Sequence, residues 1–220
     1  MIIDCISDLH GSFPKLDGGD LLIVAGDLTA RDEPYQHQNV LYWLGQQDYK
    51  KVIFIAGNHD GCYESKYYNL NYVNFLYEFG PKKTITYLQD SGCEFEGLKI
   101  WGSPWTPEFC NWHFMLPRHS DELQAKWDLI PNDTDILITH GPALGILDYT
   151  SPNKIGDRLG CNMLRKAVER VKPKLHVFGH IHGGYGQMLL KHEGPNTICV
   201  NAAYMDENYN PTNKPIRIEL

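Results

Sequence analysis

Five short stretches of this chain carry side chains able to hold a metal ion. "DLH" supplies Asp8 and His10, "GD" supplies Asp27, "GNHD" supplies Asn58, His59 and Asp60, "THG" supplies His140, and "GHIH" supplies His180 and His182. Asp8, His10, Asp27, Asn58, His140, His180 and His182 form a mixed imidazole and oxygen set without a thiolate. Such a set suits manganese, iron, zinc or nickel rather than calcium or magnesium alone. It is too large for one tetrahedral ion and matches two ions that share a carboxylate and a solvent molecule. Two ions about 3.5–4 Å apart clamp a phosphoryl group, acidify a shared water and stabilise the attacking and leaving oxygens of an in-line displacement. In extended chain His180 and His182 point to one face with Cα atoms about 7 Å apart, so their rings reach one ion, or one each of two neighbouring ions. Taken singly, Asp8, Asp27 or His140 reads as a turn former or helix cap. Recurrence at five places is what carries the reading.

Each stretch follows an apolar, β-branched run: "MIIDCIS", "LLIVA", "KVIFIA", "DILIT" and "KLHVF". Runs of this length with little polar alternation predict strands buried on both faces. Helical spacing lies between several of them. Leu164, Ala167, Val168 and Val171 recur at i, i+3, i+4 and i+7, as do Tyr72, Phe75, Leu76 and Phe79. Alternating strands and helices predict a layered α/β fold, with residues 1–220 as one domain. In open α/β sheets, ligands bind beyond the carboxyl ends of the strands, where the five motifs converge. "TITYLQD", "GLKIWGS", "YGQML", "NTICVNA" and "PIRIEL" predict further strands, partly antiparallel, in a second sheet. The stretch from Gly102 to Pro117 reads as a long structured loop. Its Trp105, Phe109, Trp112 and Phe114 fit a platform for a nucleobase and fit equally a small core beneath the loop.

The composition excludes several classes. A formal charge of −7 and the lack of a Lys/Arg-rich run argue against long duplex nucleic acid as a partner. The six cysteines are scattered and none forms Cys-x-x-Cys, which reads as reduced thiols rather than a disulfide framework or a thiolate zinc site. No apolar run approaches a membrane span, and no leader pattern follows Met1, so a soluble cytoplasmic protein is expected. His37, His113, His119, His176 and His192 lack the strand-end context and are expected in surface or packing roles. His113 stands apart because it sits in the aromatic loop.

The ordered motifs "DLH", "GD", "GNHD", "THG" and "GHIH", spanning residues 8 to 182, resemble those of the calcineurin-like metallophosphoesterases. "WLG", "YLQDSG", "GSPWTP", "LITHGPALGILD" and "KPKLHVFGHIHGGYG" resemble its class III cyclic-nucleotide-phosphodiesterase-like branch. The resemblance implies an α/β fold of two mixed β-sheets packed as a sandwich and flanked by helices. It further implies that Asp8, His10 and His182 hold one metal, Asn58, His140 and His180 a second, and that Asp27 bridges them. By the same resemblance His59 binds no metal and faces the leaving-group oxygen as general acid or charge stabiliser, and Asp60 fixes its tautomer and orientation.

The expected activity is that of a two-metal phosphohydrolase cleaving a phosphodiester, with nucleotides and cyclic nucleotides among the candidate substrates. A phosphomonoesterase or protein phosphatase uses the same centre and is the alternative. A non-catalytic scaffold would have lost ligands, and none is lost. Neither oligomeric state nor substrate follows from the sequence.

Overall fold

A computed structural model describes residues 1–64, 85–151 and 157–220. Its first sheet has the order β13-β1-β2-β3-β4, built from β1 (Ile2–Ile6), β2 (Gly19–Ala25), β3 (Tyr49–Ile55), β4 (Ile85–Tyr87) and β13 (Ile216–Glu219). The second has the order β11-β12-β10-β9-β6-β5. Its strands are β5 (Ser91–Phe95), β6 (Leu98–Ser103), β9 (Ile136–Thr139), β10 (Leu175–Phe178), β11 (Gly186–Leu190) and β12 (Thr197–Asn201). Both are mixed: the inner strands run parallel, while β13, β11 and β5 pair antiparallel at the edges.

The side-chain alternation of a strand explains the packing. On β2, Leu21, Ile23 and Ala25 point inward to meet Ile136, Ile138, Leu175 and Val177 of the second sheet. Leu22 and Val24 point outward and are covered by Val40, Leu41 and Leu44 of α1 (Pro34–Gly45). Burial on both faces is why these runs read as unbroken apolar sequence. The outer face of the second sheet is covered in turn by α2 (Asp121–Asp128) and α3 (Asn162–Val171), through Leu123, Trp127, Leu164, Ala167, Val168 and Val171. The fold is the expected sandwich flanked by helices, but the division of strands is corrected: "TITYLQD" and "PIRIEL" supply β4 and β13 of the first sheet, which pair with β3 and β1, rather than strands of the second. The helical spacing at Tyr72–Phe79 lies outside the described residues. Between Gly102 and Pro117 the chain is clasped by a minimal pair, β7 (Thr106–Pro107) with β8 (Met115–Leu116), which makes the aromatic stretch a closed loop.

Candidate metal centre

Because β1, β2, β3, β9 and β10 run parallel within their sheets, their carboxyl ends deliver the five motifs to one end of the sandwich. The chain turns sharply there. Asp8, His10, Asp27 and His180 all adopt positive φ, at 54°, 42°, 50° and 67°. Non-glycine residues in this region are strained, and such strain clusters where structure serves a site. Gly26, at φ 96°, shows why the turns need glycine: a Cβ there would lie 2.6 Å from His140 Nδ1 and 2.7 Å from the Ala56 carbonyl oxygen.

Three overlapping triplets result. Asp8, His10 and His182 bring ligand atoms together on one side and Asp27, His140 and His180 on the other, while His10, Asp27 and His59 form a third that shares a residue with each. Asp27 faces both sides: its Oδ2 lies 3.8 Å from His10 Nε2 and its Oδ1 lies 3.3 Å from His140 Nε2. Asn58 joins the second group, with Oδ1 2.9 Å from His140 Nε2. His182 Nε2 lies 3.4 Å from Asp8 Oδ1. The tautomers are set from behind. His140 Nδ1 donates to the Ala25 carbonyl at 2.9 Å and His182 Nδ1 to the Asp206 carbonyl at 2.9 Å, so each presents Nε2 to the centre.

The donors fit metal ions. Among the described residues neither ring nitrogen of buried His10 has a hydrogen-bond partner, although an imidazole has something to offer at each. Protons stand in for cations elsewhere in the cluster. Burial alone would lower His140, yet the adjacent Asp27 carboxylate pushes it up to about 9. Asp8 likewise raises His182 to about 9 against its burial. His180, buried and beside the His140 charge, falls to about 4 and keeps a free lone pair. Burial opposes ionisation of Asp27, but the surrounding imidazoles hold its carboxyl well below the usual range.

The neighbouring residues divide differently from expectation. His59 Nδ1 donates to the Ala30 carbonyl at 3.1 Å, and its backbone N–H donates to Asp27 Oδ1 at 2.8 Å. The expectation that Asp60 fixes the His59 ring is therefore corrected. The fully buried Asp60 carboxylate accepts N–H groups from Leu28, Thr29 and Gly57 at 3.0, 3.0 and 2.9 Å. It staples the loop carrying Asp27 to the loop carrying Asn58. Backbone N–H groups are better company for a buried acid than one more imidazole, and even so burial and the Asp27 charge push it up to about 6.

A cleft of about 280 Å³ opens over the cluster, lined by Asp27, Asn58, His59, His180 and His182 on its polar side. Phe109 and Trp112 line its apolar side, and the Trp112 ring lies against His59 with centroids 4.2 Å apart. Trp105 is corrected: it does not line the cleft. Its Nε1 donates to Asp90 at 2.9 Å and its ring packs on the buried Phe114, so these two belong to the core while Phe109 and Trp112 belong to the cleft. His113 Nδ1 meets Glu64 at 3.0 Å, fastening the loop beside Gly61, where any Cβ would strike the His113 ring. One cleft residue gave no sequence signal. Tyr209, in a turn-rich segment without histidines, packs on His10 and His182 at 5.0 and 5.1 Å.

Comparison with known proteins fits this geometry. The family model of the calcineurin-like phosphoesterases matches residues 1–184. This chain belongs to that family. Metallophosphoesterase domain-containing protein 1 of Homo sapiens is 42% identical over 98% of the chain and 70% of its own length, as is its Mus musculus counterpart. One crystal structure superposes with a TM-score of 0.67 at 19% identity, covering 91% of this chain and 89% of its own. A Staphylococcus aureus protein described as a 5'-nucleotidase superposes with a TM-score of 0.50 at 13% identity, over 99% of this chain and 53% of its own. At those identities the likeness is one of fold. The family is one of phosphoester hydrolases that use divalent metal ions, and the clusters described above are where this member has the donors to hold them. Among the described residues, no helix is long and apolar enough to cross a membrane.

Proposed function

We propose that this chain is a two-metal phosphodiesterase. Asp8, His10 and His182 hold one ion, Asn58, His140 and His180 the other, and Asp27 bridges them. The observation that carries this reading is the pair of Asp27 oxygens, each turned to a different triplet. Manganese, iron, zinc and nickel suit the imidazole and oxygen donors. Bound there, the ions supply Lewis-acid stabilisation of the phosphoryl oxygens and acidify the attacking water.

The chain's own residues do the rest. In its imidazolium form His59 would give the Nε2 proton to the leaving-group oxygen. The Ala30 carbonyl fixes its other nitrogen as the N–H, and the Trp112 ring limits its swing. Phe109 and Trp112 take an aromatic or apolar ester group, and a nucleobase is of that kind. Charge favours the diester. A phosphomonoester carries about −1.5 to −2 at neutral pH and calls for further cations. Among the described lining residues the one lysine or arginine is Arg118, whose guanidinium is already given to the carbonyls of Gly160 and Leu159 at 2.8 and 3.0 Å. The six free cysteines accord with a reducing, cytoplasmic setting.

The test compares bis-p-nitrophenyl phosphate, p-nitrophenyl phosphate and the 2',3'- and 3',5'-cyclic nucleotides under one metal, for the unaltered protein and for His59→Ala. Diesters are expected to be the faster substrates. His59→Ala is expected to lower kcat about 10²–10⁴-fold on ribose leaving groups, and less on p-nitrophenolate, which needs no proton. Faster turnover of the monoester would replace the diester reading with a phosphatase.

A further inference from the structure

A second, separate cluster of metal-binding side chains lies behind the strand-end centre. Asp32 comes from the loop between β2 and α1, His37 from the buried face of α1, and Cys62 from the short 3₁₀ turn Gly61–Tyr63 after β3. His37 Nε2 lies 2.8 Å from Asp32 Oδ1 and 3.2 Å from Cys62 Sγ. The Cys62 backbone N–H donates to the same Asp32 oxygen at 3.0 Å.

Without a metal, protons hold the three groups together: His37 Nε2–H donates to Asp32, and the Cys62 thiol turns its proton to the same carboxylate. A cation among the three atoms engages all of them at once. Ligand atoms of a tetrahedral zinc ion lie about 3.3–3.8 Å apart, so the donors need part by less than about 1 Å to admit one. His37 is 0% and Cys62 9% exposed, while the Asp32 side chain is 30% exposed. Solvent therefore reaches the cluster from the Asp32 side, where it also supplies a fourth ligand.

We propose that Asp32, His37 and Cys62 form a third metal site, of the zinc class, that ties α1 to the two loops carrying Asp27 and Asn58. The thiolate separates this site from the strand-end centre, whose donors are all nitrogen and oxygen, and selects zinc or cobalt over magnesium, calcium and manganese. Burial and the Asp32 and Asp60 charges raise the Cys62 thiol, so the metal takes the place of its proton, and binding releases that proton. The sequence hid the site because its donors are spread over residues 32 to 62 without a Cys-x-x-Cys pair. The proposal stands independently of the diesterase reading.

The test is the absorption spectrum of metal-free protein loaded with cobalt(II), because only a thiolate ligand gives the near-ultraviolet sulfur-to-cobalt charge-transfer band. The unaltered protein is expected to show that band and to bind three ions. Cys110→Ser, which alters an exposed cysteine, is expected to keep the band, and Cys62→Ser to lose it together with one ion. Should Cys62→Ser fail to fold, His37→Gln is expected to weaken the band in the same way. An unaltered protein without the band, or a band that survives Cys62→Ser or is unchanged in His37→Gln, overturns the proposal.

Discussion

Asp4 and Asp8 lie four residues apart, both buried at the start of the chain, yet the protein treats them oppositely. Asp4 is saturated by its own fold. Arg217 of β13 grips it through Nε and Nη2, both at 2.8 Å, and the Tyr49 hydroxyl donates to it from the start of β3. Asp8 accepts the backbone N–H of His180 at 3.0 Å and otherwise faces His182 and His10, whose ring has no hydrogen-bond partner among the described residues. Burial of a carboxylate is thus no mark of function by itself. What distinguishes the strand-end cluster is the coordination its side chains leave open, in a place where four non-glycine residues are held at positive φ. The first arrangement is closed within the fold, and the second leaves donors open toward a cation.

The sharpest way to break the comparison is Asp27→Asn. With Asp27 in the proposed bridging position, a neutral amide there should weaken the hold on both metals. Hydrolysis should fall by more than the roughly 10–100-fold that loss of an outer partner costs. The metal-free variant should melt only modestly lower: the attraction between the Asp27 carboxylate and its imidazoles is lost, but one buried charge goes with it and Oδ1 still accepts from the His59 N–H. A large drop in melting temperature would place Asp27 with Asp4, among the structural acids.

Asp4→Ala should do the reverse. Metal content and kcat should stay, and the protein should lose about 2 kcal/mol. That is below the ~3–5 kcal/mol of a fully buried pair because the Arg217 side chain is 40% exposed and returns to water. Urea unfolding of the metal-free protein measures it, and lost metal at unchanged stability would contradict the division.

A smaller effect separates the buried histidines. Among the described residues no acid acts on His176. Thr139 gives its hydroxyl proton to the Gly141 carbonyl at 2.7 Å and accepts from His176 Nε2 at 2.8 Å, and burial pushes His176 down to about 3. A folded-state value below the unfolded 6.5 means that the unfolded chain binds more protons between these limits. Its stability contribution is present above pH 6.5 and is lost as the pH falls toward 3. Lowering the pH from 6.5 to 5.5 should cost about 1 kcal/mol through this residue. Replacing it by Gln should flatten the profile of the metal-free protein over that interval, and an unchanged slope would show that His176 is not buried neutral.

Much of this was legible in the sequence, for a physical reason. Strands buried on both faces read as apolar runs, and ligands at their carboxyl ends read as polar residues after each run, so the five motifs and their convergence needed no coordinates. Other features failed where a local pattern was broken. In α1, His37, Val40, Leu41 and Leu44 hold the i, i+3, i+4, i+7 positions and all are buried, but a histidine in the first place disguises the stripe. The edge strand β5 alternates between half-buried and exposed positions and carries no apolar run. Trp105 and Trp112 are indistinguishable by type. The β7–β8 clasp leaves Trp105 outside the closed loop, bonded to Asp90, and keeps Trp112 within it, over His59. The partner of Asp60 is set by backbone N–H groups, which any sequence would offer.

The central claim is that the strand-end cluster holds two ions on which hydrolysis depends. Its most direct test is to strip Cys62→Ser protein with chelator, so that the Cys62 site does not count, and then to follow bound metal and bis-p-nitrophenyl phosphate hydrolysis together as manganese is added back. The account predicts two ions per chain, with activity abolished on stripping and restored as both sites fill. Full activity in excess chelator, or a rate that saturates with a single bound ion, would contradict it.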